Sequence, residues 1–580
     1  MDCIQEFDNE KVQENSDSVS IMLRGSFLLL RNRYSLYRSE IMRTASGGIE
    51  FSWRGCPVAQ NSRIGYNITY GPPQGPTESE NFMQFNSWQF AIFLPVVFFL
   101  YYAGKASWRW AILLAASYFF YMYWNPKMVV WIVGTTLVTY VCAIRMEESA
   151  GQRQKKRWLL LALFVCLAIL FFFKYFNFFS HSISGAARLF GAPVGDVTLQ
   201  LVMPVGISFY TFQTLGYLID IYRGKIQAER HLGYYALFVT FFPQLIAGPI
   251  SRAGSLMPQL HENAEFSYEG VTKGLKLMAW GYFKKLVIAS SLAVYVDRIY
   301  DDLQSYAGFA LLVAAVFYSI QIYCDFSGYS DIAIGCAKLF GKDLMINFRS
   351  PYFASSIKEF WGRWHISLST WFRDYVYIPL GGNRVSAFRH QLNLVITFLV
   401  SGLWHGADWT FVIWGGLHGL LQVAESLLTR GSKSKKNSKT QISDQNEKKQ
   451  WSHILGICVR TVLTFILVTF AWIFFRADTL SDAWYVISHM FRNCQYFLPY
   501  LREGYDFLGL TKLKLLGLLL PVALLAVFDY FSLKMDVIDR IGQWKTWQRW
   551  LLYVAFVSVT ICMVAASYGN VSQEFIYFQF

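Results

Sequence analysis

Charge is what this 580-residue chain has least of: Asp, Glu, Lys and Arg make up 16% of it, against 54% hydrophobic residues. A soluble chain of that length needs far more charge to cover its surface, so a soluble enzyme or scaffold is excluded. Cysteine is sparse as well. Nine are scattered singly with no CxxC pair, so neither a metal site nor a disulfide framework is indicated. Familiar chemical signatures are missing too: there is no Walker loop, dinucleotide fingerprint, HExxH or GxSxG.

What the chain does have is long apolar runs, and its mean hydropathy is +0.30. The clearest runs are 88–104, 108–124, 128–144, 158–179, 307–323, 391–404, 409–428, 454–475, 513–530 and 549–567, with less clean ones at 199–222, 233–250 and 271–298. A helix needs roughly 20 apolar residues to span a bilayer. We therefore expect an all-α polytopic membrane protein with about eleven spans plus shorter re-entrant or interfacial helices.

The net charge of +14 does not point to nucleic acid. The basic residues gather in short loops, such as Arg145 with GQRQKKRW (151–158), and in the linker GSKSKKNSKTQISDQNEKKQ (431–450). That is how cytoplasmic loops read under the positive-inside rule, and both segments are expected on that side. Residues 1–82 are polar and mixed in charge, and they are expected to be a disordered extension or an upstream start; the membrane domain is read as 83–580. The closing SQEFIYFQF (572–580) is expected on the outer face, packed on the protein's own rim or on a partner.

Two segments break the apolar pattern in its middle. LQLVMPVGISFYTFQTLGYLIDIYRGK (199–225) is interrupted by Pro204, Gly206 and Gly216, and FFPQLIAGPISR (241–252) by Pro243, Gly248 and Pro249. Irregular backbone at membrane depth is tolerated only where protein buries it or it lines a wet cavity.

The candidate chemistry is histidine-centred. His405 ends the apolar run 391–404 in LVSGLWHGADWTFVIWGGLHG (399–419). An ionisable group in a span is costly and is a functional-site hypothesis by default. A buried neutral imidazole can act as a base, or it can simply bond a backbone carbonyl and join two helices; the residues alone leave both readings open. His418 has glycines around it and fits close packing better. His365 lies in SIKEFWGRWHISLSTWFRDYVYIPLGGNR (356–384), where Trp361, Trp364, Leu368, Trp371 and Phe372 suggest one aromatic face of an amphipathic interfacial helix. Asp325 and Asp331 interrupt another apolar stretch, where Asp325 could cap a helix starting near Gly328 or orient a histidine. Lys284, Lys285, Arg349, Lys358, Arg363, Arg373 and Arg384 could form a basic collar for an anionic, phosphate-rich donor. Ordinary loop charge accounts for part of that set.

The strings MPVGISFYTFQTLGYLIDIYRG, FFPQLIAGPISR, YCDFSGYSDIAIG, FWGRWHISLSTWFRDYVYIPLGG, LVSGLWHGADWTFVIWGGLHG, WIFFRA and the terminal FIYFQF resemble, in the same order, the membrane-bound O-acyltransferases (MBOAT). The likeness is to the bacterial branch of the alginate O-acetyltransferase membrane subunit, and it covers 83–580. It implies a ring of tilted helices with funnels from both faces meeting at a central tunnel. It implies that His405 is catalytic and that His365 is a second site residue. Lys358, Arg363 and Arg373 become candidates for holding the donor. That donor would be a cytoplasmic thioester, acetyl-CoA in the acetylating branch, with no bound cofactor and no metal. The acyl group would leave on the outer side of a bacterial plasma (inner) membrane, to a hydrolase-like acyl-accepting protein that decorates a polysaccharide. D-alanyl transfer to teichoic acid and a proton-coupled transporter or flippase are the alternatives.

Overall fold

The computed structural model describes residues 83–192, 195, 197–433, 447–509 and 511–566, and among them there is no strand. The expectations for residues 1–82, for positions 434–446 of the basic linker and for the tail 572–580 lie outside the described residues. The chain opens with α1 (Trp88–Ala103), α2 (Arg109–Met122), α3 (Val129–Glu148) and the long α4 (Gln152–Leu189). Shorter helices follow: α5 (Ile207–Tyr222), α6 (Leu232–Thr240) and α7 (Ala253–His261). Then come α8 (Tyr268–Tyr300) and α9 (Phe309–Leu339), two short helices α10 (Ile357–Arg363) and α11 (Ile366–Phe372), and the hairpin α12 (Ala387–His405) and α13 (Trp409–Lys433). The last third holds α14 (Glu447–Arg476), α15 (Leu480–His489), α16 (Phe497–Leu508), α17 (Lys512–Ser532), α18 (Val537–Gly542) and α19 (Thr546–Ala566).

Among the described residues, eight helices are long and apolar enough to cross a membrane: α3, α4, α8, α9, α13, α14, α17 and α19. This is a multi-pass, all-α membrane protein. The count differs from the eleven spans expected, for a physical reason. With 16 and 14 residues, α1 and α2 are short, and α12 carries Arg389, His390 and Asn393. α5 is apolar because it is buried in protein along nearly its whole length, not because lipid surrounds it.

α8 and α9 are the most intimate pair. Gly274 faces Gly335 and Gly281 faces Gly328, so that a methyl on any of the four would meet the opposite backbone at 2.5 to 2.7 Å. Small residues at such a crossing let two helices approach closely where no hydrophobic force separates them from lipid. Between them lie charges. Lys284 bonds Asp331 at 2.6 Å and Ser327 Oγ at 2.9 Å, and Lys285 pairs with Asp325. Two expectations are corrected here. Asp325 caps nothing, because α9 runs unbroken through Asp325 and Gly328 and the carboxylate is needed opposite Lys285. Lys284 and Lys285 belong to no surface collar, since both are buried against α9.

The two segments rich in Pro and Gly differ: 199–206 is irregular and α5 then runs unbroken through Gly216, whereas 241–252 stays irregular until α7 begins. Residues 241–250 form a non-helical, fully buried run in which several polar groups find protein partners, though Gln244 Oε1 does not. The Phe242 amide donates to Ser117 Oγ at 3.1 Å, and the Ile250 amide to Ser367 Oγ at 3.1 Å. Gln213 and Gln244 both donate to the Phe238 carbonyl, at 2.6 and 2.9 Å. Gly206 starts α5 with φ +74, and a Cβ there would sit 2.5 Å from the Leu245 carbonyl oxygen. One glycine thus locks the first broken segment onto the second.

Gly206→Ala is therefore expected to cost stability, about 1–3 kcal/mol, through strain and overpacking together. Gly134→Ala, in α3 where nothing lies within 4 Å of the added methyl, is expected to be neutral or slightly stabilising. Thermal unfolding of the two purified variants checks this, and equal melting temperatures would contradict it.

Candidate active site

The turn between α12 and α13 is built by its own sequence. α12 stops at His405, and Gly406 continues in extended conformation. A Cβ on Gly406 would lie 2.1 Å from the Phe411 ring, and one on Gly402 2.2 Å from the Phe411 carbonyl oxygen. Asp408 Oδ1 then accepts from the Thr410 amide at 2.8 Å, starting α13 with a side-chain cap. His405 is held at this turn, 4% exposed, with ring centroids of Trp404, Trp414 and Phe475 at 5.0, 5.0 and 5.4 Å.

His365 arrives from a different element. The segment 356–384 is not one amphipathic interfacial helix, as expected, but two short helices broken at Trp364–His365. The aromatic residues assigned to its apolar face are buried in protein, and His365 itself is fully buried. Its φ of 41 places it in the left-handed region, which is unusual for a residue with a Cβ and is characteristic of strained functional positions. Asn347 holds that turn. Its carbonyl accepts from the Ile366 amide at 2.9 Å, its Oδ1 from the Ser367 amide at 3.3 Å, and its Nδ2 donates to Ser330 Oγ at 3.1 Å.

The two histidines come together. Their ring centroids are 6.4 Å apart, Trp404 lies 6.3 Å from His365, and Phe326 of α9 packs edge-on against His365 at 4.6 Å. His418 belongs to the same aromatic cluster, 5.0 Å from Trp414, and its Nδ1 accepts from Trp361 Nε1 at 3.2 Å. It packs as the sequence suggested.

A second group sits on the membrane face that carries the basic loops. α5 ends on that face, because Arg230 just beyond it pairs with Glu147 and Glu148 at the end of α3, at 2.6 and 3.0 Å. There Arg252 pairs with Asp374 at 3.2 Å, Arg373 with the same carboxylate at 2.8 Å, and Arg223 donates to the Asp374 carbonyl at 3.0 Å. The guanidinium of Arg252 lies 4.6 Å above the Tyr375 ring, whose hydroxyl donates to Asp220, itself paired with Lys225 at 3.2 Å. Four cations thus meet two carboxylates, leaving a positive surplus, and Arg252 Nη1 is buried without a hydrogen-bond partner. α11, seven residues and about 10 Å long, joins this cluster to His365. Of the expected donor contacts, Arg373 is in it. Arg363 instead pairs with Glu359 at 2.5 Å, whose carboxyl is held below its usual range by the Ser355 and Arg363 contacts against the opposing effect of burial. Lys358 is exposed, its amide donating to Glu425 at 3.1 Å. Sequence reading missed Arg223 and Arg252, since each looks like an ordinary loop cation until the fold folds it over Tyr375.

The comparisons with known proteins agree in kind. The family model described as MBOAT, membrane-bound O-acyltransferase family, matches residues 113–465. The chain is similar to a protein of Azotobacter vinelandii named probable alginate O-acetylase AlgI, 39% identical over 75% of this chain and 83% of that one. A Pseudomonas putida protein of the same name is 37% identical over 84% of this chain and 98% of its own length. A Helicobacter pylori protein named peptidoglycan O-acetyltransferase is 36% identical over 69% of this chain and 77% of that one.

Proposed function

We propose, for a chain that belongs to the membrane-bound O-acyltransferase family, that it moves an acetyl group from a thioester on the basic-loop face to a polysaccharide hydroxyl on the other. That the protein is a membrane-embedded O-acyltransferase stands on the family itself. The acceptor class, the acetyl group, the cytoplasmic thioester and a plasma-membrane location are the finer reading. Its support is the meeting of His405 and His365 at a broken helix end, one short helix away from a surplus of positive charge.

In this reading the Arg252, Arg223 and Arg373 cluster holds the phosphate-rich end of acetyl-CoA, which is a substrate here and not a cofactor. His405 takes the proton of the attacking hydroxyl. The new C–O bond forms, the C–S bond breaks, and the thiolate leaves with that proton restored to it. His365 positions the thioester or the hydroxyl from the other side. The enclosing tryptophans exclude water, which would otherwise hydrolyse the thioester. The hydroxyl belongs to a hydrolase-like acyl-accepting partner on the outer side or to the polysaccharide itself.

His405→Ala, at matched membrane expression, should lose acetylation of the host's polysaccharide by at least about a hundredfold. Near-normal acetylation would remove His405 from the chemistry. Arg252→Met should raise KM for acetyl-CoA about tenfold, with a smaller effect on kcat. An unchanged KM would move the donor elsewhere, and transfer only from a carrier-protein D-alanyl thioester would replace the acetyl assignment.

A further inference from the structure

α4 faces lipid along most of its length, yet it carries a lysine in its outer half. Phe171 and Phe172 are exposed, while Lys174, two residues on, is half-buried. The ammonium of a lysine on such a helix is costly unless it is paired or faces inward. Here a π-helical turn, Phe171–Tyr175, interrupts the helix. An extra residue in one turn re-aims the side chains that follow, and such bulges recur at functional sites.

Lys174 is aimed at one place. Its Nζ donates to the carbonyl oxygen of Trp404 at 2.9 Å and to that of His405 at 2.9 Å. These are the last two residues of α12. The final carbonyls of a helix have no partner within it, and the helix dipole places partial negative charge there. An ammonium bridging two of them is a strong, charge-assisted cap. It comes from a separate helix, 230 residues away in sequence. It therefore fixes the backbone that carries the His405 ring relative to α4, while Gly406 and Phe411 fix it relative to α13.

We infer that Lys174 is a positioning residue for His405: it clamps the end of α12 so that the imidazole faces His365 across the acyl-transfer gap. This rests on the reading of His405 as the transfer base. The contact acts on main-chain atoms, so its loss displaces the histidine without removing it. A displacement of about 1 Å at a reacting group costs up to about a hundredfold in rate.

The test measures acetyl transfer from acetyl-CoA by the full chain in membranes, with thermal unfolding of the same preparations, for Lys174→Arg, Lys174→Gln, Lys174→Met and His405→Ala. Arg keeps a cation with several donors and is expected to retain kcat within about threefold. Met and Gln are expected to lower kcat about tenfold or more while KM for acetyl-CoA stays within about twofold. Met or Gln at the wild-type kcat, with His405→Ala inactive, would overturn the positioning role and leave the transfer reading intact. Full activity of His405→Ala would overturn the transfer reading itself. If Met does not accumulate, Gln carries the comparison with the same thresholds. If only Lys and Arg give folded protein, the contact serves stability alone and the inference is overturned.

Discussion

The last turn of α12 presents carbonyl oxygens away from water, and much of the surrounding structure is arranged to satisfy them. A helix end buried without partners is costly, because each unpaired polar group forfeits about 1–3 kcal/mol of solvation. Lys174 reaches in from α4 to bond two of those carbonyls. Gly406 leaves room for the Phe411 ring, and Asp408 starts the next helix at once. The result is a tight chain reversal that buries His405 at the end of α12. A continuous helix could not put His405 there.

Three π-helical turns bring charge into the apolar framework. π-helical turns at Phe171–Tyr175, Phe283–Ala289 and Arg373–Tyr377 carry Lys174, the Lys284–Lys285 pair, and the Arg373–Asp374–Tyr375 step. In each, a locally widened helix directs polar groups to partners on another element. Lys284 and Lys285 are matched by Asp331 and Asp325 at the glycine-lined crossing of α8 and α9. Removing one member of such a pair strands the other and costs about 3–5 kcal/mol, so these pairs hold a specific register between helices that apolar packing alone leaves free to slide. They stiffen the α9 wall that carries Phe326 to His365.

Much of this was legible in the sequence, and the rest fails for identifiable reasons. Hydropathy gave the membrane class and most of the long helices. It also marks α5 as an apolar run, because a helix buried in protein is as apolar as one in lipid. Proline and glycine marked both broken segments, since each demand for unusual backbone or close approach writes itself into those two residues. His405 stood out because it ends an apolar run. His365 looked like part of a continuous aromatic face, and only the left-handed turn held by Asn347 breaks the helix there. Nothing local marks that turn. Lys174, Arg223 and Arg252 were invisible for a related reason: one residue of π-helical phase, and partners more than a hundred positions away, decide where those cations point. The cap offered as one reading of Asp325 fails because its partner, Lys285, lies on another helix.

Direction is the property on which the proposed function turns: in that reading the donor is met by the arginine cluster on the basic-loop face, while His405 lies at the far end of α12. The most direct measurement uses oriented proteoliposomes, with acetyl-CoA labelled in its acetyl group supplied to one face only and a polysaccharide acceptor to the other. The account predicts labelled ester on the acceptor when the donor is on the basic-loop face, and none when donor and acceptor are exchanged. Equal labelling from either side, or labelling only of acceptor mixed with donor on one side, would contradict transfer across the membrane through this site.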